Sequence, residues 1–284
     1  MIGELVRTKT SDGLKLQGLL VQPAAPSRGV VLHIHGLEGN FYENDFFDDV
    51  GAAVTEAGFS FCTVNTRGAG VITSFNTDTA GTYKDYGASR ELINDCLLDI
   101  EAWLTFLTDR GFSFIILSGH SLGTLKVVHY QSVKQDSRVK GLILMGAVDY
   151  AHFAEETSGA DFDKYLAEAK QMIDKGKGDE FAPIKWHSYS SLYDWFSKQS
   201  LARIFEFSKP DFAYPQLKSL RVPVLVLQGE KDQYLQNPQV SLDLISKHTQ
   251  QCTPVLITGA DHWYNGGLEQ LRQSLRVWLT QFSP

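Results

Sequence analysis

The chain has only three cysteines and three methionines in 284 residues, no block of basic residues, and no apolar run approaching a membrane span in length. Each shortage excludes something. Cys62, Cys96 and Cys252 are widely separated, odd in number and without metal-ligand spacing, so neither a disulfide framework nor a zinc site is expected. They read as reduced, buried side chains. Lys and Arg number 26 against 33 Asp and Glu, a formal net charge of −7 that argues against nucleic acid or an anionic membrane surface as the main partner. The start, "MIGELVRTKTSDGLKLQG", holds no apolar core of signal-peptide length, so a soluble, cytoplasmic protein with no membrane span is expected. No repeat or low-complexity tract is visible. What remains is an ordinary globular composition, 43% hydrophobic and 21% charged, long enough for one large domain or a domain carrying an insertion.

Short apolar runs alternate with amphipathic stretches along most of the chain. "ELVRTKT" and "LKLQGLLVQP" flank Ser11-Asp12-Gly13, a hairpin signal. "GVVLHIHG", "FSFCTVNT", "FSFIILSG", "VKGLILMGAVD", "VPVLVLQGEKD" and "TPVLITGADHW" read as strands. Between them, helices are expected around "NDFFDDVGAAVTEAG", over residues 88–109, at "LGTLKVVHYQSV", around "NPQVSLDLISKH" and at the end of the chain. In the 88–109 stretch Leu92, Cys96, Leu97, Ile100, Leu104 and Leu107 share one face, and in the last helix Leu268, Leu271, Leu275, Trp278, Leu279 and Phe282 do so. This rhythm predicts an α/β fold with a mostly parallel sheet covered on both sides and entered through an antiparallel N-terminal hairpin. Residues 150–217 break it. They hold no clear strand, and about a fifth of them are aromatic against 12% for the whole chain. A helical cap over one end of the sheet is expected there, leaving 1–149 and 218–284 as the core; two ordinary surface helices are the plainer alternative.

Ligands of open α/β sheets bind beyond the carboxyl ends of strands, so the polar residues that follow strands are the informative ones. Ser121, in "SGHSLGT", stands between a strand and a helix, with Gly119 and Gly123 keeping the turn narrow enough to push the hydroxyl outward. The helix beginning there offers unpaired N–H groups to a developing oxyanion. Asp232 follows "VPVLVLQGEK" and His262 follows "TPVLITGAD", giving the chain order Ser, Asp, His. The plain reading of Ser121 is a small polar residue in a glycine-flanked core turn. The ordered set outweighs it.

With these motifs, nearly the whole chain resembles an α/β-hydrolase of the serine esterase and lipase kind. The resemblance rests on "HIHGLEGN", "GHSLG", "GEKD" and "ADHW", each in its expected context. A looser similarity, in "DCLLDIEAWLTFL" leading into "GHSLGTLKVVHY", is to a serine hydrolase group that includes fungal siderophore esterases. The resemblance implies a nucleophilic Ser121, a general base in His262 and an orienting acid in Asp232. It further implies oxyanion donors in the backbone N–H groups of Leu122 and, from the loop after His-Gly, Leu37. The implied activity is hydrolysis of a carboxylic ester through an acyl-enzyme, on a small-molecule acyl or aryl ester, with no cofactor and no metal. Thioester, amide and carbon–carbon bond hydrolysis would use the same machinery, and a ligand-binding protein on a hydrolase scaffold is the rival from another class.

Other residues compete for these roles. Asp149, after the preceding strand, is the alternative acid, while Asp261 is too close to His262 in sequence to orient it easily. His33 reads as core, and His35 and His120 as loop-shaping residues hydrogen-bonded to nearby backbone. His129, His152, His187 and His248 fall on helical or cap segments where packing is the usual role. Arg67, in an Arg-Gly-x-Gly turn, reads as a charged anchor for neighbouring loops, and Glu38 as either a substrate contact or a solvated side chain.

Overall fold

The apolar runs become strands whose side chains alternate between two buried cores. The computed structural model describes residues 2–184, 186–209 and 211–282. In β3 (Val30–Ile34), reached through the hairpin β1 (Glu4–Lys9) and β2 (Lys15–Val21), Val30, Leu32 and Ile34 enter one core and Val31 the other. After α1 (Phe46–Glu56) and β4 (Ser60–Val64) comes a small antiparallel pair, β5 (Thr73–Asn76) and β6 (Tyr83–Tyr86), then α2 (Asp95–Asp109). The same split recurs in β7 (Ile115–His120), where Ile115 and Leu117 part from Ile116. It recurs again beyond α3 (Leu122–Lys134) in β8 (Val139–Met145), with Leu142 and Leu144 opposite Ile143 and Met145. Burial on both faces is why these runs are continuously apolar rather than alternating with polar residues.

The chain continues through α4 (Tyr150–Ser158), a 3-10 turn at Gly159–Asp161, α5 (Phe162–Asp174), α6 (Tyr189–Phe196) and α7 (Pro215–Ser219). It closes with β9 (Val224–Gly229), α8 (Pro238–His248), β10 (Cys252–Ile257) and α9 (Leu268–Thr280). The large sheet has eight strands in the order β1-β2-β4-β3-β7-β8-β9-β10. Only the β1–β2 and β2–β4 pairings are antiparallel. Helices α1 and α9 cover one face through Phe46, Val50, Leu271, Leu275 and Trp278, and α2, α3 and α8 cover the other through Ile100, Trp103, Leu125, Tyr130 and Ile245. Strand order reverses at β3, whose chain successors run to β4 on one side and to β7 on the other. A crevice opens beyond the carboxyl ends at such a reversal.

Three details depart from expectation. Helix α2 begins at Asp95 rather than near residue 88. The Leu92 N–H donates to the Asp95 carboxylate (2.8 Å), and the Glu91 carbonyl accepts from Trp195 Nε1 (2.8 Å) and Ser191 Oγ (3.1 Å), so the groups a longer helix would use are engaged elsewhere. The β5–β6 pair carried no apolar alternation because it lies on the surface, with Phe75 its one side chain in the core. Cys62 and Cys96 are buried as expected, but Cys252 is only half-buried at the edge strand β10.

Residues 150–217 are helical and carry no strand among the described residues beyond a single bridge between Phe181 and Ser188. Six of their fourteen aromatics, Phe162, Tyr189, Trp195, Phe196, Phe205 and Tyr214, are buried in the same core as α2 and α3. Arg67 is the anchor its turn suggested, fully buried and paired with Asp99 (2.9 Å), Asp12 (2.9 Å) and Asp95 (3.4 Å). No helix among the described residues is long and apolar enough to cross a membrane.

Candidate active site

The loop leaving β3 and the turn leaving β7 meet in that crevice. Ser121 takes φ 54° and ψ −122°, a conformation that costs a residue with a side chain about 1–3 kcal/mol. The neighbours make it unavoidable. A Cβ on Gly119 would lie 2.3 Å from the Gly123 carbonyl oxygen, and one on Gly123 would lie 2.3 Å from that of Ile34, so strand, turn and helix touch backbone to backbone. The turn is pinned by the Ser121 N–H donating to the Met145 carbonyl of β8 (2.9 Å) and by Thr124 donating to the Ser121 carbonyl (2.9 Å). Leu122 opens α3, so its N–H has no intrahelical acceptor. The Leu37 N–H likewise donates to no acceptor among the described residues. The two loops are close: a Cβ on Gly36 would sit 2.9 Å from Ser121 Cβ.

Asp232 and His262 come from the turns after β9 and β10, and the structure joins them. His262 Nδ1 lies 2.7 Å from Asp232 Oδ2, and both side chains are buried. The carboxylate is held from two further sides, by Gln228 Nε2 (2.7 Å) and the Tyr234 N–H (3.0 Å). The imidazole is packed edge-on by Tyr234 and Trp263 at ring separations of 4.6 and 5.4 Å. His120 stands behind it and donates from Nε2 to the His262 carbonyl (3.0 Å), while burial holds its own pKa well below the ordinary histidine value. Ser121 and His262 line one cavity, but no hydrogen bond joins Ser121 Oγ to the ring. Asp149 is elsewhere employed: its carboxylate caps α4 by accepting from the His152 N–H (3.1 Å) and also accepts from the Ser208 N–H (3.3 Å). Asp261 accepts from the N–H groups of Trp263 and Asn265 within its own turn.

The cavity is about 530 Å³ and is lined by Ser121, His262, Leu37 and Glu38 together with Tyr150, Phe153 and Tyr234. A second cavity of about 300 Å³ shares Leu37, Glu38, Tyr150 and Phe153 with it and extends along Phe162, Tyr165, Trp186 and Phe196. Sequence reasoning missed Gln228, Tyr150, Phe153 and Tyr234. For Gln228 a signal existed, an amide inside the apolar run "VPVLVLQG" that must find a partner once buried. Among the described residues no group of three or more His, Cys, Asp or Glu side chains is arranged to hold a metal ion.

The sheet order, the strained serine turn beside its reversal and the connected loops give the chain the α/β-hydrolase fold. The chain belongs to the DUF1749 family, described as proteins of unknown function, which matches residues 22–279. No curated protein matches the chain. Among solved structures, Est1E from Butyrivibrio proteoclasticus with bound ferulic acid is 20% identical over 97% of this chain and 98% of its own, with a TM-score of 0.69. The carboxylesterase CesB from Bacillus subtilis is 18% identical over 100% of this chain and 93% of its own (TM-score 0.59). An alpha-beta serine hydrolase homologue from Coxiella burnetii is 18% identical over 98% of each chain (TM-score 0.56).

Proposed function

We propose that the protein is a serine hydrolase that cleaves a carboxylic ester through an acyl-enzyme. The observation that carries this reading is one cavity holding both a serine on a strained strand-to-helix turn and a histidine hydrogen-bonded to a buried carboxylate. Ser121 Oγ attacks the ester carbonyl while His262 Nε2 takes its proton and then passes it to the departing alcohol. Asp232 fixes the Nδ1–H tautomer that leaves Nε2 free to do so, and the N–H groups of Leu122 and Leu37 meet the oxyanion. Water attacks the resulting ester of Ser121 by the same route. The Ser121–His262 hydrogen bond closes as substrate binds, the usual behaviour of such pairs in unliganded sites. The esterase named CesB and the ferulic acid held by Est1E point to the same chemistry, and a nucleophilic serine excludes the carboxylate-based ester intermediates of dehalogenases.

The substrate class follows from the two cavities. Residues 150–217 act as a cap whose Tyr150 and Phe153 divide the catalytic cavity from an aromatic chamber, so an acyl or aryl group of apolar character is the natural occupant. A fluorophosphonate should label Ser121, located by mass spectrometry, and Ser121→Ala should lower turnover of short p-nitrophenyl esters on the order of a million-fold. An adduct on another residue, or a Ser121→Ala protein of full activity, overturns the mechanism.

A further inference from the structure

Behind the oxyanion loop lies a chain of buried polar groups that the reaction itself does not use. His35 is one of its links, one residue beyond β3. Its Nδ1 is 2.7 Å from the Gly36 carbonyl oxygen, and a carbonyl only accepts, so Nδ1 carries the proton. Its Nε2 is 3.1 Å from the Thr66 N–H, which only donates, so Nε2 is bare. The ring is therefore a neutral Nδ1–H tautomer, in keeping with burial and the nearby Lys126 charge, which bring its pKa down to about 3.

The consequence reaches the cavity through one peptide plane. The Gly36 carbonyl and the Leu37 N–H belong to the same trans peptide and point in opposite directions. Drawing the carbonyl onto His35 turns the Leu37 N–H the other way, towards the cavity that Leu37 and Ser121 line. The next link secures the tautomer. Thr66 Oγ1 is 3.1 Å from His35 Nε2 and accepts from Lys126 Nζ (3.3 Å), which leaves the hydroxyl proton for the bare ring nitrogen. Lys126 is on α3, the helix that begins directly after Ser121, and pairs at 2.7 Å with Glu91. Both charged side chains are almost wholly buried, 1% and 2% exposed, which is costly for an ion pair that served stability alone. One helix thus supplies the Leu122 donor at its start and the tether of the other donor a turn later.

We propose that His35 is the positioning residue for the Leu37 N–H, and that the Lys126–Glu91 ion pair, acting through Thr66, holds His35 in the tautomer that aims it. The proposal rests on Leu37 serving as an oxyanion donor. Misaiming a donor weakens the transition state and its tetrahedral mimics while leaving ground-state binding nearly unchanged. Steady-state kinetics on p-nitrophenyl butyrate and inhibition by phenylboronic acid therefore separate this role from a merely structural one.

Two replacements of His35 make the test specific. Asparagine can place an N–H where Nδ1 stands, whereas glutamine reaches only towards the Nε2 position. His35→Gln should lower kcat about 10- to 100-fold, short of the hundred- to thousand-fold typical of losing a donor outright, with KM within about threefold. Boronate inhibition should weaken by a similar factor, and His35→Asn should recover most of both. The charge-neutral pair Lys126→Met with Glu91→Gln, which leaves no unpaired buried ion, should fall in the same direction as His35→Gln. Equal losses in the asparagine and glutamine variants, or folded variants that change only KM, overturn the proposal. An enzyme that needs Ser121 yet ignores His35→Gln refutes only the positioning role. One that keeps turnover as Ser121→Ala refutes the site reading and the positioning role together.

Discussion

Replacing Asp232 with asparagine tests the site through a substitution that the fold should accept and the chemistry should not. Asp232 Oδ2 accepts from both His262 Nδ1 and Gln228 Nε2, and Oδ1 accepts from the Tyr234 N–H. If the new amide keeps its oxygen towards His262, its NH₂ faces the Tyr234 N–H, a buried donor against a donor worth about 1–3 kcal/mol. The other orientation relieves that clash. The NH₂ then faces His262 and Gln228, and Gln228 can answer by turning its own amide, because its Oε1 is buried without a hydrogen-bond partner. His262 can answer only by accepting at Nδ1, which moves its proton to Nε2 and disables the base. The expected result is a folded protein whose melting temperature stays within about 3 °C, since 1 kcal/mol shifts a domain of this size by only a few degrees. Its kcat should fall about 10⁴-fold, the loss expected of a triad locked in the wrong tautomer and equal to about 5 kcal/mol of barrier. Asp149→Asn is the control, because asparagine caps a helix as well as aspartate and should change turnover little. The assay is initial-rate hydrolysis of p-nitrophenyl butyrate beside thermal unfolding. An Asp232→Asn enzyme within tenfold of the parent, or a larger loss in Asp149→Asn, refutes the assignment.

Two further outcomes test the frame around the site. Gly119→Ala should destabilise the protein by roughly 2 kcal/mol or more, because backbone must move to admit the methyl, and it should slow fluorophosphonate labelling of Ser121; unchanged melting and labelling would show that the turn has room. His33 is fully buried against Phe47, bonded through Nδ1 to Ser118 Oγ, and desolvation brings its pKa down to about 3 from an ordinary 6.5. Between those values the unfolded chain binds a proton that the native state refuses, so the contribution of His33 to stability is present above pH 6.5 and lost as the pH falls towards 3. The parent should lose about 2 kcal/mol more than His33→Leu between pH 7 and pH 5, as read by denaturant unfolding at each pH, and identical pH dependences would refute it.

The local features of the site could be read in one dimension because each has a local cause. Continuous apolar runs at β3, β7, β8 and β9 mark strands buried on both faces. Gly119 and Gly123 mark a turn with no room for a Cβ, and Ser121, Asp232 and His262 each follow a strand, in that order. Assignments that depend on which groups compete for a donor were not local. Asp149 and Asp232 both follow apolar strands, and only the packed structure gives one to the α4 cap and the other to His262. Residues 88–94 carry a helical pattern, yet side chains of α6, a hundred residues away, take the Glu91 carbonyl and the helix starts at Asp95. The aromatics of residues 150–217 look alike in sequence, but the fold sends Trp195 and Phe205 to the core and leaves Tyr150 and Phe153 on the cavity of Ser121 and His262. Sequence by itself determined the strands of the large sheet, the serine turn and the order of the polar residues, since backbone sterics and burial act within a few residues. Tertiary structure alone decided which carboxylate meets His262 and what lines the cavity, since hydrogen bonds are allotted among groups that only folding brings together.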